Sequence, residues 1–452
     1  MPLDPAGAVL VLLSFEGPDV YSQAGGLGVR EKGLSRTLAR RGFDTYLYFC
    51  GDPDLPAEEE REGGRLHLRR WGQWISAQHR GGVYDGEEGK IRDWNYSLPP
   101  ALIDGVVEPA AAAGRPVVIL GEEWHTAWSM KLIADSLFYR GLRNRAVMMW
   151  NANNTFGFHR IDWAALNEAA TVTTVSRYMK FRMWEWGQNP IVIANGIPSE
   201  AIVEPDPAAV TALRAAAGAD HLWFKIGRFD PDKRWLMAVT AAAELKRRGK
   251  SVKLLMRGGR EPHGAEVMMH AEHQGLAVRH ARSPNDVAGL VALLRESREA
   301  DVINLTSFLS EAMVVSIYAA VDAVLANSGH EPFGLVGLEV MAAGGIPVTG
   351  STGEDYAEPY RNAVVLETDD PLEIVTELSA LKDRPKLVAE IRRRGRATAR
   401  DYVWDRVLDE LLLRVDFAAA RQGVELPGPT QVKPAPRRRV RKADAAIIEL
   451  KK

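Results

Sequence analysis

The sequence of 452 residues contains one cysteine, Cys50. A lone thiol excludes an internal disulfide framework and fits a reducing compartment. No apolar run approaches the roughly 18 residues that a membrane-spanning helix requires. The amino terminus lacks the basic region of a signal peptide, so a cytoplasmic location is expected. Neither sign of charge is in excess. Lys and Arg number 57 against 59 Asp and Glu, a net charge of −2, and nothing pulls the whole chain toward nucleic acid. No His or Cys spacing suits a metal site, and there is neither a G-x-x-x-x-G-K-[ST] loop nor a nucleophile elbow. Cys50 lies in an apolar run and reads as core.

What is present is an ordinary globular composition, 46% apolar and 26% charged, in a chain too long for one compact core. Continuous apolar runs at residues 9–13, 45–49, 117–120, 147–150, 171–175 and 190–193 read as strands buried on both faces of a parallel sheet. Helical patterns separate them. The pattern restarts at 222–226 and continues at 252–256, 302–305, 323–326 and 346–349. Two doubly wound α/β domains are therefore expected, residues 1–200 and 201–398, with a cleft outside the carboxyl ends of their strands. An amphipathic helix is expected over 399–423, carrying Tyr402, Trp404, Val407, Leu408, Leu411 and Leu412 at helical spacing. The remainder, 424–452, turns to Pro and Arg and reads as a basic, disordered tail.

Three segments carry chemistry. Glu331-Pro332-Phe333-Gly334 ends a loop after a strand, and Glu339 follows about two turns into a helix that stops at Gly344-Gly345. The amino terminus of such a helix offers unpaired N–H groups and a partial positive charge, a site for a diphosphate. Carboxylates accept hydrogen bonds from hydroxyls and suit the attached sugars. The plain alternative is a strand–loop–helix unit with two surface glutamates. Ser22-Gln23-Ala24-Gly25-Gly26-Leu27-Gly28 is a glycine-rich turn after the first strand. It fails the dinucleotide fingerprint because Glu31 stands where the third glycine belongs. Gly227-Arg228 and Lys233 follow the first strand of the second half. They read either as a diphosphate-neutralising pair or as plain surface charge.

Together these segments resemble the retaining GT-B glycosyltransferases, and within them the glycogen and starch synthases. The E-P-F-G-x-x-x-x-E segment, the Gly-Gly-Leu-Gly loop, the G-R-x-x-x-x-K segment and Asn195-Gly196-Ile197 fall in that family's order over roughly residues 8–420. Glu123-Trp124-His125-Thr126 is similar to the family's D-W-H-T segment. The resemblance implies a GT-B architecture of two Rossmann-like domains, with the terminal helix crossing back onto the first. It implies transfer of a hexose, glucose above all, from a nucleoside-diphosphate sugar to a sugar or α-glucan hydroxyl. It also implies that His125, Arg228, Lys233 and Glu331 are catalytic. Gly25, Gly26, Leu27, Gly28, Phe333, Gly334, Leu335 and Glu339 would join Arg228, Lys233 and Glu331 around the donor. Asn153, Asn154 and His159 would lie on the acceptor side; the plain alternative for His125 is a helix cap. No cofactor and no metal are implied, because lysine, arginine and amides neutralise the diphosphate. Asp52-Pro53-Asp54 imitates the metal motif of the other major glycosyltransferase fold, which has one sheet rather than two.

The synthases carry lysine where Gln23 stands. That departure favours, as the alternative, a small acceptor of the trehalose, sucrose, glycerate or lipid type. The alternative from another class is a non-catalytic protein that binds sugar nucleotides or glucan.

Overall fold

The computed structural model describes residues 3–426. Its first sheet holds β1 (Val9–Leu13), β2 (Asp44–Cys50), β3 (Glu58–Arg61), β4 (Leu66–Trp71), β5 (Val117–Glu122), β6 (Ala146–Ala152), β7 (Thr171–Thr174) and β8 (Ile191–Val192). The order is β3-β4-β2-β1-β5-β6-β7-β8, parallel except for the β3–β4 pair. Its second sheet holds β9 (His221–Ile226), β10 (Val252–Arg257), β11 (Val278–Ala281), β12 (Val302–Leu305), β13 (Ala323–Ala326), β14 (Pro347–Thr349) and β15 (Val364–Val365). The order there is β11-β12-β10-β9-β13-β14-β15, with every pair parallel.

The continuous apolar runs become these strands because helices cover both faces; all five residues of β1 are buried. Four strands carry too little apolar pattern to be expected. β3 is Glu-Glu-Glu-Arg on the exposed edge. β4 interleaves buried Leu66 and Leu68 with basic residues. It tolerates a buried Arg70 because Asp19 accepts from the guanidinium at 2.7 and 2.9 Å and Glu59 at 2.7 Å. β11 is a partly exposed edge, and β15 is two residues long.

In each sheet the chain reverses winding direction beside one strand. β1 lies between β2 and β5, and β9 lies between β10 and β13. A crevice opens outside the carboxyl ends at such a reversal, and ligands of open α/β sheets bind there. The motif-bearing segments all follow these ends: loop 14–25 and the helix start at 123–126 in the first domain, 227–234 and 327–334 in the second.

The domains join through two adjacent backbone segments. The Ile197 amide donates to Tyr402 O and the Trp404 amide to Ile197 O, both at 2.9 Å. The expected helix over 399–423 is corrected here. Helix Pro385–Asp401 stays with the second domain, the chain breaks at Tyr402 and Val403, and helix Trp404–Gln422 alone crosses to the first. Its stripe of Val407, Leu408, Leu411, Leu412 and Val415 is buried with Leu10, Leu12, Leu34 and Leu38. Gln422 closes it by accepting from Met148 N at 2.9 Å and donating to Met148 O at 2.8 Å. The expected tail also begins later than residue 424, since Val424 is buried against this core. Leu426 packs against the same core, and residues 427–452 of that tail lie outside the described residues.

Candidate active site

The second domain supplies a charged pair at its winding reversal. Lys233 follows β9 and Glu331 follows β13, and Lys233 Nζ donates to Glu331 Oε2 at 2.6 Å. Ser328 Oγ donates to the same oxygen at 3.0 Å. Gly334, at φ 77, turns the chain into helix Leu335–Ala342, a backbone conformation that L side chains rarely adopt. The helix amino terminus therefore stands beside the Lys233–Glu331 pair. Glu339 lies in its second turn, where burial pushes the carboxyl up to about 7. Arg228 is exposed in the same loop as Lys233. Lys225, one strand position from that loop, is buried and donates to Leu325 O and Asn327 Oδ1 at 2.9 and 2.6 Å. Burial holds its amine well below the usual range, and the nearby Lys233 adds to the effect.

Glu354 is a site residue that the sequence left unmarked. Thr352 Oγ1 links it to the motif turn, accepting from Glu331 N at 3.0 Å and donating to Glu354 Oε2 at 3.3 Å. Its other oxygen is buried without a partner. Burial first, then the charge of Glu331, raises its carboxyl to about 8. Phe333, expected around the donor, has its side chain turned away into the core. It is buried in a core shared by the two domains, with Tyr356 and Tyr402 rings at 5.9 and 6.2 Å. Leu335 is partly buried and packs against that core.

The glycine turn of the first domain also differs from expectation. Glu16 Oε2 accepts from the amides of Ala24, Gly25 and Gly28 at 3.1, 3.0 and 3.1 Å. A carboxylate of the chain itself thus takes up two of the glycine amides expected to meet phosphate. Gly26 stays exposed and Leu27 half-buried at the start of helix Gly26–Arg40. Tyr84 donates to the other oxygen of Glu16 at 2.6 Å, which ties a distant loop to this turn.

At the end of β5, Glu122 is buried between Arg30 and two asparagines. It accepts from Arg30 Nη2 at 3.0 Å and from Asn151 and Asn153 Nδ2 at 2.8 Å each. Glu123 begins the next helix with φ 62, a strained value for a residue with a side chain. Its buried carboxyl accepts from Asn153 N at 2.6 Å and is raised by burial to about 8. His125 is buried two residues on and stacks on Phe15 at 4.3 Å. Its Nε2 stands 2.9 Å from Glu87 Oε1. Burial lowers the imidazole pKa, so the ring is neutral near pH 7. Glu87 sits 38 positions away, and no local signal marks it.

The acceptor-side residues divide. Asn153 is committed to Glu122 and Glu123, and Asn154 Oδ1 accepts from Phe156 N at 2.7 Å within its own loop. His159 is exposed. The two halves meet beside the motif turn. Ser176 Oγ donates to Pro332 O at 2.6 Å, and Arg177 N donates to Asp355 Oδ2 at 2.8 Å. Among the described residues no cluster of three His, Cys, Asp or Glu side chains can hold a metal ion, and no helix is long and apolar enough to cross a membrane.

Two Rossmann-like domains with motif loops at their facing carboxyl edges define the GT-B architecture. Known structures share it. The catalytic domain of starch synthase IV from Arabidopsis thaliana, solved with ADP and acarbose, matches with a TM-score of 0.64 at 18% identity, over 92% of this chain and 99% of that one. Sucrose-phosphate synthase from Thermosynechococcus elongatus matches with a TM-score of 0.61 at 19% identity, over 91% of this chain and 100% of that one. Residues 215–398 match the family described as glycosyl transferases group 1. D-inositol 3-phosphate glycosyltransferase of Thermomonospora curvata is 27% identical over 126 residues, which cover 27% of this chain and 29% of that protein. The resemblance to GT-B glycosyltransferases of the glycogen and starch synthase kind therefore extends through the fold of both domains.

Proposed function

We propose that this protein is a retaining hexosyltransferase that moves glucose from a nucleoside-diphosphate sugar to a saccharide hydroxyl. The observation that carries this reading is the Lys233–Glu331 pair, 2.6 Å apart at the amino terminus of helix Leu335–Ala342. Lys233 and the helix amides would take the diphosphate, with Arg228 swinging in from solvent. Glu331 would hold hexose hydroxyls and Glu339 the ribose. His125, held through Nε2 by Glu87, would lie against the reacting sugar. The bond from the anomeric carbon to the diphosphate oxygen breaks as the acceptor oxygen bonds to the same face of that carbon. The acceptor proton passes to the departing diphosphate. Stabilising the charge that grows on the leaving group is then the protein's main task.

The starch synthase match, solved with ADP and acarbose, supports a nucleotide and a saccharide as the ligand classes. A reducing, cytoplasmic setting is supported by the single buried Cys50. Thermal unfolding with UDP-, ADP- and GDP-glucose tests the reading. A true donor at about 100 times its dissociation constant adds roughly 2.7 kcal/mol of stability. No shift with any of the three contradicts it. Lysine, arginine and helix amides supply the neutralising charge, so turnover should survive a chelator. Full loss in chelator, restored by magnesium or manganese, contradicts metal independence.

A further inference from the structure

Residues 82–90 match no motif, yet this segment reaches both marked parts of the first domain. Lys90 anchors it from inside. The lysine is 1% exposed, and its ammonium donates to Gly82 O, Val83 O and Asp85 O at 3.2, 2.9 and 2.6 Å and to Tyr21 Oη at 2.7 Å. Oxygens gathered on one buried cation fix the backbone between them. From this anchored segment Glu87 reaches His125, and Tyr84 donates to Glu16 Oε1 at 2.6 Å. The Tyr84 ring stacks on Phe15 at 5.9 Å, and Phe15 stacks in turn on His125.

Glu16 is where the segment meets the glycine turn. Helix Gly26–Arg40 leaves the amides of residues 25–28 without an acceptor one turn back. Glu16 Oε2 takes those of Gly25 and Gly28, and that of Ala24 before them. The amides of Gly26 and Leu27 lie between these bonds, at the exposed end of the helix. A side chain at Gly28 would begin 3.2 Å from Glu16 Oε2 and 3.0 Å from Gly17 O, so the glycine admits the carboxylate. Glu16 itself is buried. Burial first, then the charge of Glu16, pushes the Tyr84 hydroxyl up, so it stays protonated and donates. Losing that donor would strip a buried carboxylate oxygen of its bond, which is costly.

We propose that Glu16 and Tyr84 are positioning residues for the donor. The Tyr84 hydroxyl seats the Glu16 carboxylate on the glycine turn, and the turn so held presents the amides of Gly26 and Leu27 to the diphosphate. The proposal rests on reading the chain as a hexosyltransferase, and its test separates the two. Lys233 and helix Leu335–Ala342 take the diphosphate from the second domain, and the braced turn meets it from the first. A turn already held in its binding form spares the ligand the cost of ordering it. Loosening the brace weakens binding in proportion to the time the turn spends misplaced.

Wild type, Tyr84→Phe and Glu16→Ala are titrated calorimetrically with UDP, ADP, GDP and inorganic pyrophosphate. Amide hydrogen exchange is read at single residues with and without each ligand. Tyr84→Phe keeps the stacked ring and removes only the hydroxyl, and melting temperatures check that both variants fold. Exchange at Ala24, Gly25 and Gly28 should be faster in both variants. At least one nucleoside diphosphate should bind wild type and slow exchange at Gly26 and Leu27. Tyr84→Phe should bind it about threefold or more weakly, and Glu16→Ala about tenfold or more weakly. The positioning role is overturned if Tyr84→Phe binds as tightly as wild type, if its turn exchanges no faster, or if no ligand protects Gly26 and Leu27. If pyrophosphate protects them and binds the variants more weakly, but no nucleoside diphosphate binds, the positioning role stands and the transferase reading fails.

Discussion

At the scale of single residues, the site combines one ion pair with several carboxyls held out of water. Glu354 makes the consequence measurable. Its native carboxyl lies at about 8, against 4.5 ordinarily, because burial and Glu331 both oppose its charge. The folded protein therefore binds this proton more tightly than the unfolded chain does. The contribution of this one group to stability is fully present below about pH 4.5 and is lost as pH rises toward 8, above which both states are ionised. Glu354→Gln removes that loss while keeping the shape. Calorimetric melting temperatures should show the variant gaining on wild type between pH 5 and pH 9, by several degrees at the upper end. A difference that stays constant across the range contradicts a buried, neutral Glu354. The sequence marked Lys233, Glu331, Glu339 and His125 because each sits in a short local pattern after a strand. It could not mark Glu16, Glu87 or Glu354. Glu87 reaches His125 across 38 positions, and Glu16 reaches Gly28 across 12 within an irregular loop. Phe333 shows the reverse case, a motif residue whose side chain serves the core between domains.

At the scale of elements, eleven strands were legible because parallel strands covered on both faces must be continuously apolar. The four that escaped lie at the sheet edges or are hidden by charge. β4 is the instructive one, since its buried arginine is intelligible only once Asp19 and Glu59 are seen beside it. The crossing helix was legible from its stripe, but its start was not. Tyr402 and Val403 break the helix to pair with Ile197, a contact between segments about 200 positions apart that no local pattern reveals. Trp404 anchors the crossing. It is 3% exposed, and a side chain at Gly33 or Gly196 would collide with its indole. Trp404→Ala should cost roughly 3–5 kcal/mol, the range for truncating a buried aromatic. Calorimetry should record a melting temperature lower by about 2–4 °C for each kcal/mol in domains of this size. A change within one degree would show that the helix is not fastened there.

At the scale of the whole molecule, two winding reversals are brought edge to edge, and the chemistry collects where they meet. Ser176 to Pro332 and Arg177 to Asp355 tie the first domain directly to the turn that carries Glu331. The two-domain architecture was legible as a repeated strand pattern, whereas the way the halves touch was not. In the proposed function Lys233, at the carboxyl edge of the second sheet, neutralises a nucleoside diphosphate. The most direct measurement is calorimetric titration of wild type and Lys233→Ala with UDP, ADP and GDP, alongside melting curves that confirm both are folded. A hydrogen bond to a charged group is worth about 1.5–3 kcal/mol. At least one nucleotide should therefore bind wild type and bind the folded variant about tenfold or more weakly. Equal affinity in the two proteins, or no binding of any of the three to wild type, would contradict that role for Lys233.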